Sequence, residues 1–245
     1  MQHNKGRLEI PENVAFILKT AGAIGDGLDF KVFAVGGFVR DLLLGIEKLD
    51  IDIVAEGNGL KFAKELADAL GSPFITHEQF GTAVIENDIK VDVATARSEF
   101  YKSPADYPSV RFGTIKEDLK RRDFTINAIA ASLNAEAFAE MLDLFNGRKD
   151  LKKGIIRVLH DKSFIDDPTR IFRAVRFEQR YNFKIDDHTE KLIKHAVSAG
   201  MLGRLKKQRI EKEMALISAE RMASSMLIRL EGLTGRNNVA YRQGK

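Results

Sequence analysis

The chain has 245 residues, 44% of them hydrophobic, and a net charge of +4, enough apolar material for one ordinary core and a smaller second one. With no cysteine it has neither a disulfide framework nor thiolate metal sites, and its five histidines, His3, His77, His160, His188 and His195, lack zinc-binding spacing. No apolar run approaches the roughly 18 to 20 residues that span a bilayer, and the polar start Met1 to Gly6 lacks the apolar stretch of a signal peptide, so a cytoplasmic protein without membrane contact is expected.

Lys31 to Val35 reads as a short buried strand ending at Gly36-Gly37, and Phe38 to Leu44 as a helical turn or two closed by Gly45. Asp50 to Ala55 is a second strand. Asn58 can cap a helix running to Leu70, with Phe62, Leu66 and Leu70 on one face and Gly71 as its stop. Thr82 to Glu86 and Ile89 to Ala94, joined by Asn87-Asp88, pattern as a hairpin. The segment Arg97 to Phe112, with Pro104 and Pro108, is too irregular for an element and long enough to be a functional loop. Thr114 and Glu117 have capping-box spacing for the helix that follows. Beyond His160, helical periodicity runs through Pro168 to Tyr181, Asp187 to Ala199 and Lys206 to Ser218. Two textures result: an α/β part over residues 1–158 and an all-helical part over 159–233, followed by a polar tail, 234–245, expected to be disordered.

If the second strand alternates, Asp50 and Asp52 emerge on one face and Ile51 and Ile53 enter the core. Two carboxylates roughly 7 Å apart suit two divalent ions, or one ion and a triphosphate, for displacement at phosphorus. The hairpin strand puts Lys90 and Asp92 on its polar face, which makes Asp92 a candidate third carboxylate. A solvent-facing acidic pair is the plain alternative. Upstream, Gly36-Gly37 at a strand-to-helix junction lets phosphates approach backbone N–H groups and a helix N-terminus, and Arg40 adds a bidentate fork; a simple tight turn is the alternative. Residues 201–245 carry a balance of +6 against −2 for the first 200. Arg204, Lys206, Lys207 and Arg209, with Lys212, form the densest basic cluster, either a surface for RNA phosphates or a solvated helix face.

Taken in order, five groups of residues resemble the motifs of class II tRNA nucleotidyltransferases and bacterial poly(A) polymerases, of the polymerase-beta-like superfamily. Gly36-Gly37-Phe38-Val39-Arg40-Asp41 with Leu44-Gly45 and Asp50-x-Asp52 resembles the first, and Arg121-Arg122-Asp123-Phe124-Thr125-Ile126-Asn127-Ala128 the second. Asp143-x-x-x-Gly147-x-x-Asp150-Leu151 is similar to the third. Asp166-Asp167-Pro168-Thr169-Arg170 with Arg173, Arg176 and Phe177 is similar to the fourth, and Arg209-Ile210-x-x-Glu213 to the fifth. The resemblance implies a nucleotidyltransferase head with a mixed sheet, an α+β fold, followed by a helical neck. It implies that Asp50 and Asp52 hold two Mg²⁺ ions and that Arg121 and Arg122 serve phosphates. It also implies that Asp123 and Asn127 lie near the ribose, and that Asp167 and Arg170 select the incoming base.

The implied reaction joins the 3′ end of an RNA, tRNA in the first instance, to AMP from ATP or CMP from CTP, with release of pyrophosphate. Pro168 looks more like poly(A) polymerases and the separate CC-adding or A-adding enzymes than like CCA-adding members. Three other readings stand beside this one: a poly(A) polymerase; a catalytically silent RNA- or nucleotide-binding remnant, since family members usually continue into helical body and tail domains; and a nucleotidyltransferase for a small molecule or protein. The paired Asp167 and Arg170 and the arginine-rich neck count against the last.

Overall fold

The computed structural model describes residues 6–47, 50–101 and 103–235, so the expected tail lies outside the described residues from 236 onward. The chain falls into two compact units: Met1–Glu99, Val110–Arg122 and Ile126–Arg148 make the first, and Phe100–Ser109, Asp123–Thr125 and Lys149–Lys245 the second.

In the first unit, α1 (Glu12–Gly27), β1 (Lys31–Val35), α2 (Gly36–Leu43), β2 (Ile51–Glu56) and α3 (Gly59–Leu70) are followed by β3 (Phe74–His77), β4 (Thr82–Ile85) and β5 (Val91–Thr95). The chain goes on through β6 (Arg97–Phe100), β7 (Ser109–Phe112), α4 (Ile115–Lys120), β8 (Ala130–Ser132) and β9 (Met141–Leu142). One mixed sheet runs in the order β3-β4-β5-β2-β1-β8-β9; β2 and β5 pair in parallel and the other neighbours antiparallel. Alternation along β2 and β5 sends Ile51, Ile53, Val91 and Val93 into the core, where they meet Leu18 of α1 and Phe62 and Leu66 of α3. Asp52 and Asp92 therefore share the opposite face.

The hydrogen bonds of α3 match the expected caps. Asn58 accepts from the N–H groups of Leu60 and Lys61 at 3.1 and 3.0 Å, and Gly71 ends the helix at φ +62°. The capping box of Thr114 and Glu117 forms at the start of α4. Three elements depart from expectation. Helix α1 was not foreseen: Pro11 offers its start no capping side chain, and Gly22 and Gly25 read as helix breakers. A Cβ at Gly22 would lie 2.0 Å from the Leu133 carbonyl oxygen, so glycine serves there to let the helix press on backbone. Strand β3 was also missed, and the irregular segment 97–112 begins and ends in the paired short strands β6 and β7.

The second unit centres on α7 (Arg170–Arg180). Around it in the chain lie α5 (Gly147–Lys153), β10 (Ile155–Ile156), α6 (Ser163–Asp166), β11 (Lys184–Ile185), α8 (Asp187–Ser198), α9 (Lys207–Ser218) and α10 (Ala223–Thr234). Helix α10 lies beyond the last helical periodicity in the sequence, which ends at Ser218; its Thr234, expected to open the tail, is buried and bonds back to Leu230. Phe124 meets Phe177 of α7 edge-on at 5.9 Å. Arg229 of α10 donates to Glu178 of α7 at 2.8 Å and to Glu190 of α8 at 2.6 Å, clamping three helices together.

Candidate active site

The first unit contains a cleft of about 430 Å³ whose lining includes Asp52, Asp92, Arg121 and Arg122, together with His77, Thr82 and Val84. The parallel register sets Asp52 directly opposite Asp92. Gly36, at φ +66°, turns the chain from β1 into α2. A Cβ there would lie 2.4 Å from Arg122 Nη1 and 3.5 Å from Asp52 Oδ2, and one at Gly37 would lie 3.4 Å from the same Asp52 oxygen. The two glycines thus let the turn lie directly against the Arg122 guanidinium and the Asp52 carboxylate, which takes a hydrogen bond from the Phe38 N–H at the start of α2.

Burial pushes the Asp52 carboxyl above its ordinary value; the Arg122 charge pulls the other way, the neighbouring Asp92 adds to the rise, and the Phe38 backbone N–H opposes it. Lys90 donates to Asp92 at 2.6 Å, and this bond leads a set of influences, including Asp92, Asp50 and Asp52, that raises the Lys90 pKa. Asp50 stands exposed just before β2 and does not line the cleft. The register pairs Asp52 with Asp92, while Asp50, two residues before Asp52, joins both in acting on the Lys90 charge.

Asp118 was not singled out from the sequence. It is fully buried, and its two oxygens divide between Arg121, at 3.0 and 2.6 Å, and Arg122, at 3.2 and 2.9 Å. Burial alone would raise its pKa; Arg122 and Arg121 outweigh that and hold it low. Its spacing of three and four residues before the arginines on a helix was the available signal. Glu99 adds a further acceptor for Arg121 at 3.0 Å. Arg40 is turned inward: it grips Asp41 at 2.8 and 2.9 Å and donates to Asn127 Oδ1 at 2.6 Å, so Arg40 and Asn127 brace α2.

In the second unit, Asp167 Oδ1 accepts from the Thr169 N–H at 3.0 Å, the Thr169 hydroxyl at 2.6 Å and Arg209 Nη2 at 2.8 Å. Arg170 is buried and donates to Ser163 at 2.8 Å. Asp123 accepts from Arg173 at 2.7 Å and from the Phe124 N–H at 2.8 Å, a pairing that heads the causes raising the Arg173 pKa. Neither Arg173 nor Arg176 is simply solvated. Arg176 is buried, 3.7 Å from Glu213, and Nε and Nη1 of Arg176 and Oε2 of Glu213 find no hydrogen-bond partner among the described residues. Burial is the leading cause that lowers the Arg176 pKa and raises that of Glu213.

The expected basic cluster divides. Arg204, Lys206 and Lys207 are exposed, while Arg209 is half-buried, held by Asp167, by the Ala105 carbonyl at 3.3 Å and over the Tyr107 ring at 5.2 Å. Arg209 is therefore tied into the second unit by its side chain, while the side chains of the other three are exposed.

Residues 32–157 match the family model of the poly A polymerase head domain. The chain is 48% identical over 226 residues to the A-adding tRNA nucleotidyltransferase of Geobacter sulfurreducens, covering 91% of this chain and 26% of that protein. It is 40% identical over 221 residues to the A-adding tRNA nucleotidyltransferase of Halalkalibacterium halodurans, covering 89% of this chain and 52% of the relative. Among solved structures, the Thermotoga maritima CCA-adding enzyme complexed with tRNA superposes with a TM-score of 0.85 at 39% identity, covering 100% of this chain and 58% of that one. The chain thus spans between about a quarter and somewhat over half of the length of these relatives.

Proposed function

The chain belongs to the poly A polymerase head-domain family, and from that premise we propose that it transfers a nucleotide, AMP in the first place, from a nucleoside triphosphate to the 3′ end of tRNA. The observation that carries this reading is the cleft in which Asp52 and Asp92 face each other beside the Gly36-Gly37 turn. Preference for A rests on the A-adding relatives; CMP transfer and poly(A) synthesis are the alternatives the test separates.

The donor set suits Mg²⁺. Carboxylate oxygens are hard ligands, and the raised pKa of Asp52 marks an anion whose charge its surroundings do not fully compensate. Among the described residues no group of three or more His, Cys, Asp or Glu side chains could hold an ion alone; Mg²⁺ is commonly bound through one or two carboxylates plus the phosphates of a substrate. Asp52 and Asp92, with Asp50 beside them, would hold it. Bound there, Mg²⁺ supplies neutralisation of the triphosphate and a more acidic acceptor hydroxyl.

The chain's own groups supply position and charge. The Gly36-Gly37 turn and the N-terminus of α2 receive phosphate oxygens, and Arg121 and Arg122, aimed by Asp118, balance the charge that develops as pyrophosphate leaves. No nucleophilic side chain is required. In the second unit we assign base selection to Asp167 and Arg170: a carboxylate accepts from an exocyclic amine and a guanidinium donates to a ring nitrogen or carbonyl. Asp123 and Arg173 act there as an ion pair whose carboxylate can meet a ribose hydroxyl only by sharing it with Arg173. The first unit would be the transfer head, and the helices of the second the selecting neck.

The test is incorporation of labelled ATP or CTP, with Mg²⁺, into tRNAs ending before, within or after CCA and into an unstructured RNA. A single A on tRNA ending in CC, absent from Asp52→Asn, is expected. Long A tracts on any RNA would make it a poly(A) polymerase; no incorporation with intact ATP binding would withdraw the enzymatic reading for this chain.

A further inference from the structure

The sheet face that bears the carboxylates continues past them. Across the registers, Asp52 lies opposite Asp92, Asp92 opposite Val84, and Val84 opposite Ile75. One step along, Val54, Ala94, Thr82 and His77 form a second row. Residues paired in this way stand on one face of a sheet. Helix α3 packs on the other face, so this one is left open: Ile75 is 51% exposed, His77 is exposed, and Thr82 and Val84 are half-buried. His77, Thr82 and Val84 line the same cleft as Asp52 and Asp92.

On the far side of Asp52 the sheet leads to β1, which ends in the Gly36-Gly37 turn and the N-terminus of α2. The carboxylates thus stand between two unlike surfaces. One is a backbone turn suited to phosphates; the other is an apolar ledge edged by a hydroxyl and an imidazole. Displacement at phosphorus brings the entering oxygen in opposite the leaving group. With the triphosphate on the glycine side, the acceptor has to come in over the ledge.

We propose that Ile75, Val84, Thr82 and His77 seat the terminal nucleotide of the RNA acceptor, the ribose and base against Ile75 and Val84 and the adjoining phosphate at Thr82 and His77. This rests on reading the Asp52–Asp92 cleft as the transfer site. In the step served, the acceptor 3′-oxygen bonds to the α-phosphorus, the bond from that phosphorus to pyrophosphate breaks, and the hydroxyl proton passes to water.

The absence of cysteine allows a single thiol to be placed at will. Ile75→Cys and, as control, Lys61→Cys, exposed on α3, are mixed with an oligoribonucleotide ending in CC whose last base carries a disulfide arm. Crosslinking at Ile75→Cys is expected to be at least about tenfold faster than at the control. In turnover, Ile75→Glu is expected to raise the acceptor KM about tenfold and leave the ATP KM unchanged. Equal crosslinking at the two positions, or a rise in the ATP KM alone, overturns the proposal. The transfer reading is checked separately, by whether Asp52→Asn abolishes Mn²⁺-dependent ATP binding; if it fails, the crosslinking ratio still decides the ledge.

Discussion

Asp118 has no route to water, and each of its oxygens holds one of the two cleft arginines. Removing its charge leaves Arg121 with Glu99 and takes from Arg122 the carboxylate it is bonded to. Asp118→Asn is expected to cost about 3 kcal/mol of stability and to raise the nucleotide KM more than it lowers kcat, read by thermal melting and steady-state kinetics; an unchanged KM would sink its aiming role. Asp52 makes the opposite trade. Its folded pKa lies above the ordinary 3.8, so between those two values the folded chain binds more protons than the unfolded one, and stability falls as pH rises through that window. In EDTA, Asp52→Asn should melt higher than the parent at pH 7, with the gap closing as the pH falls toward 4, while incorporating nothing; a lower melting point at pH 7 would contradict the burial argument. Alternation alone made Asp52 legible in the sequence. Alternation also made Asp92 a candidate, but not its place directly beside Asp52, which comes from a parallel pairing of strands separated by α3, β3 and β4. Arg209 looked like surface charge for the same reason: periodicity gives spacing along a helix and says nothing of a carboxylate 42 residues away.

Helix ends were the most legible elements. The caps of α3 and α4 are local chemistry, settled within three or four residues. Helix α1 and strand β3 depend on distant partners, Leu133 for the close approach of the helix and β4 for the strand, and had no local signal. The strand-to-helix turn at Gly36 offers a test of what its glycine is for. Gly36 and Gly45 both have positive φ, +66° and +69°, yet a Cβ at Gly45 meets nothing within 4 Å while one at Gly36 runs into Arg122. Alanine at either site is expected to cost about 1 to 2 kcal/mol in backbone strain. Gly36→Ala alone should also weaken ATP binding by displacing Arg122, measured by titration; equal loss of binding in the two variants would show that the turn, and not the place of Arg122, is what matters.

Charge at the scale of the whole molecule is lopsided, +6 over residues 201–245 against −2 before them. If Arg204, Lys206 and Lys207 each meet one RNA phosphate, raising salt from about 50 to 200 mM should weaken RNA binding roughly 20- to 40-fold. Replacing all three with Gln should lower the slope of log affinity against log salt by about 2 to 3; an unaltered slope would place the RNA elsewhere. The division expected near residue 158 is coarser than the compact units themselves. The chain passes from one unit to the other five times, and the run Arg121 to Ala128 alone is shared between them, Asp123 to Thr125 belonging to the second. Inheritance feels this interleaving. A single recombination between two related genes, wherever it falls between residues 100 and 148, gives a protein in which at least one unit mixes segments from both parents. New nucleotide preferences in such a lineage are therefore expected to arise by point changes within each unit, not by exchange of whole units.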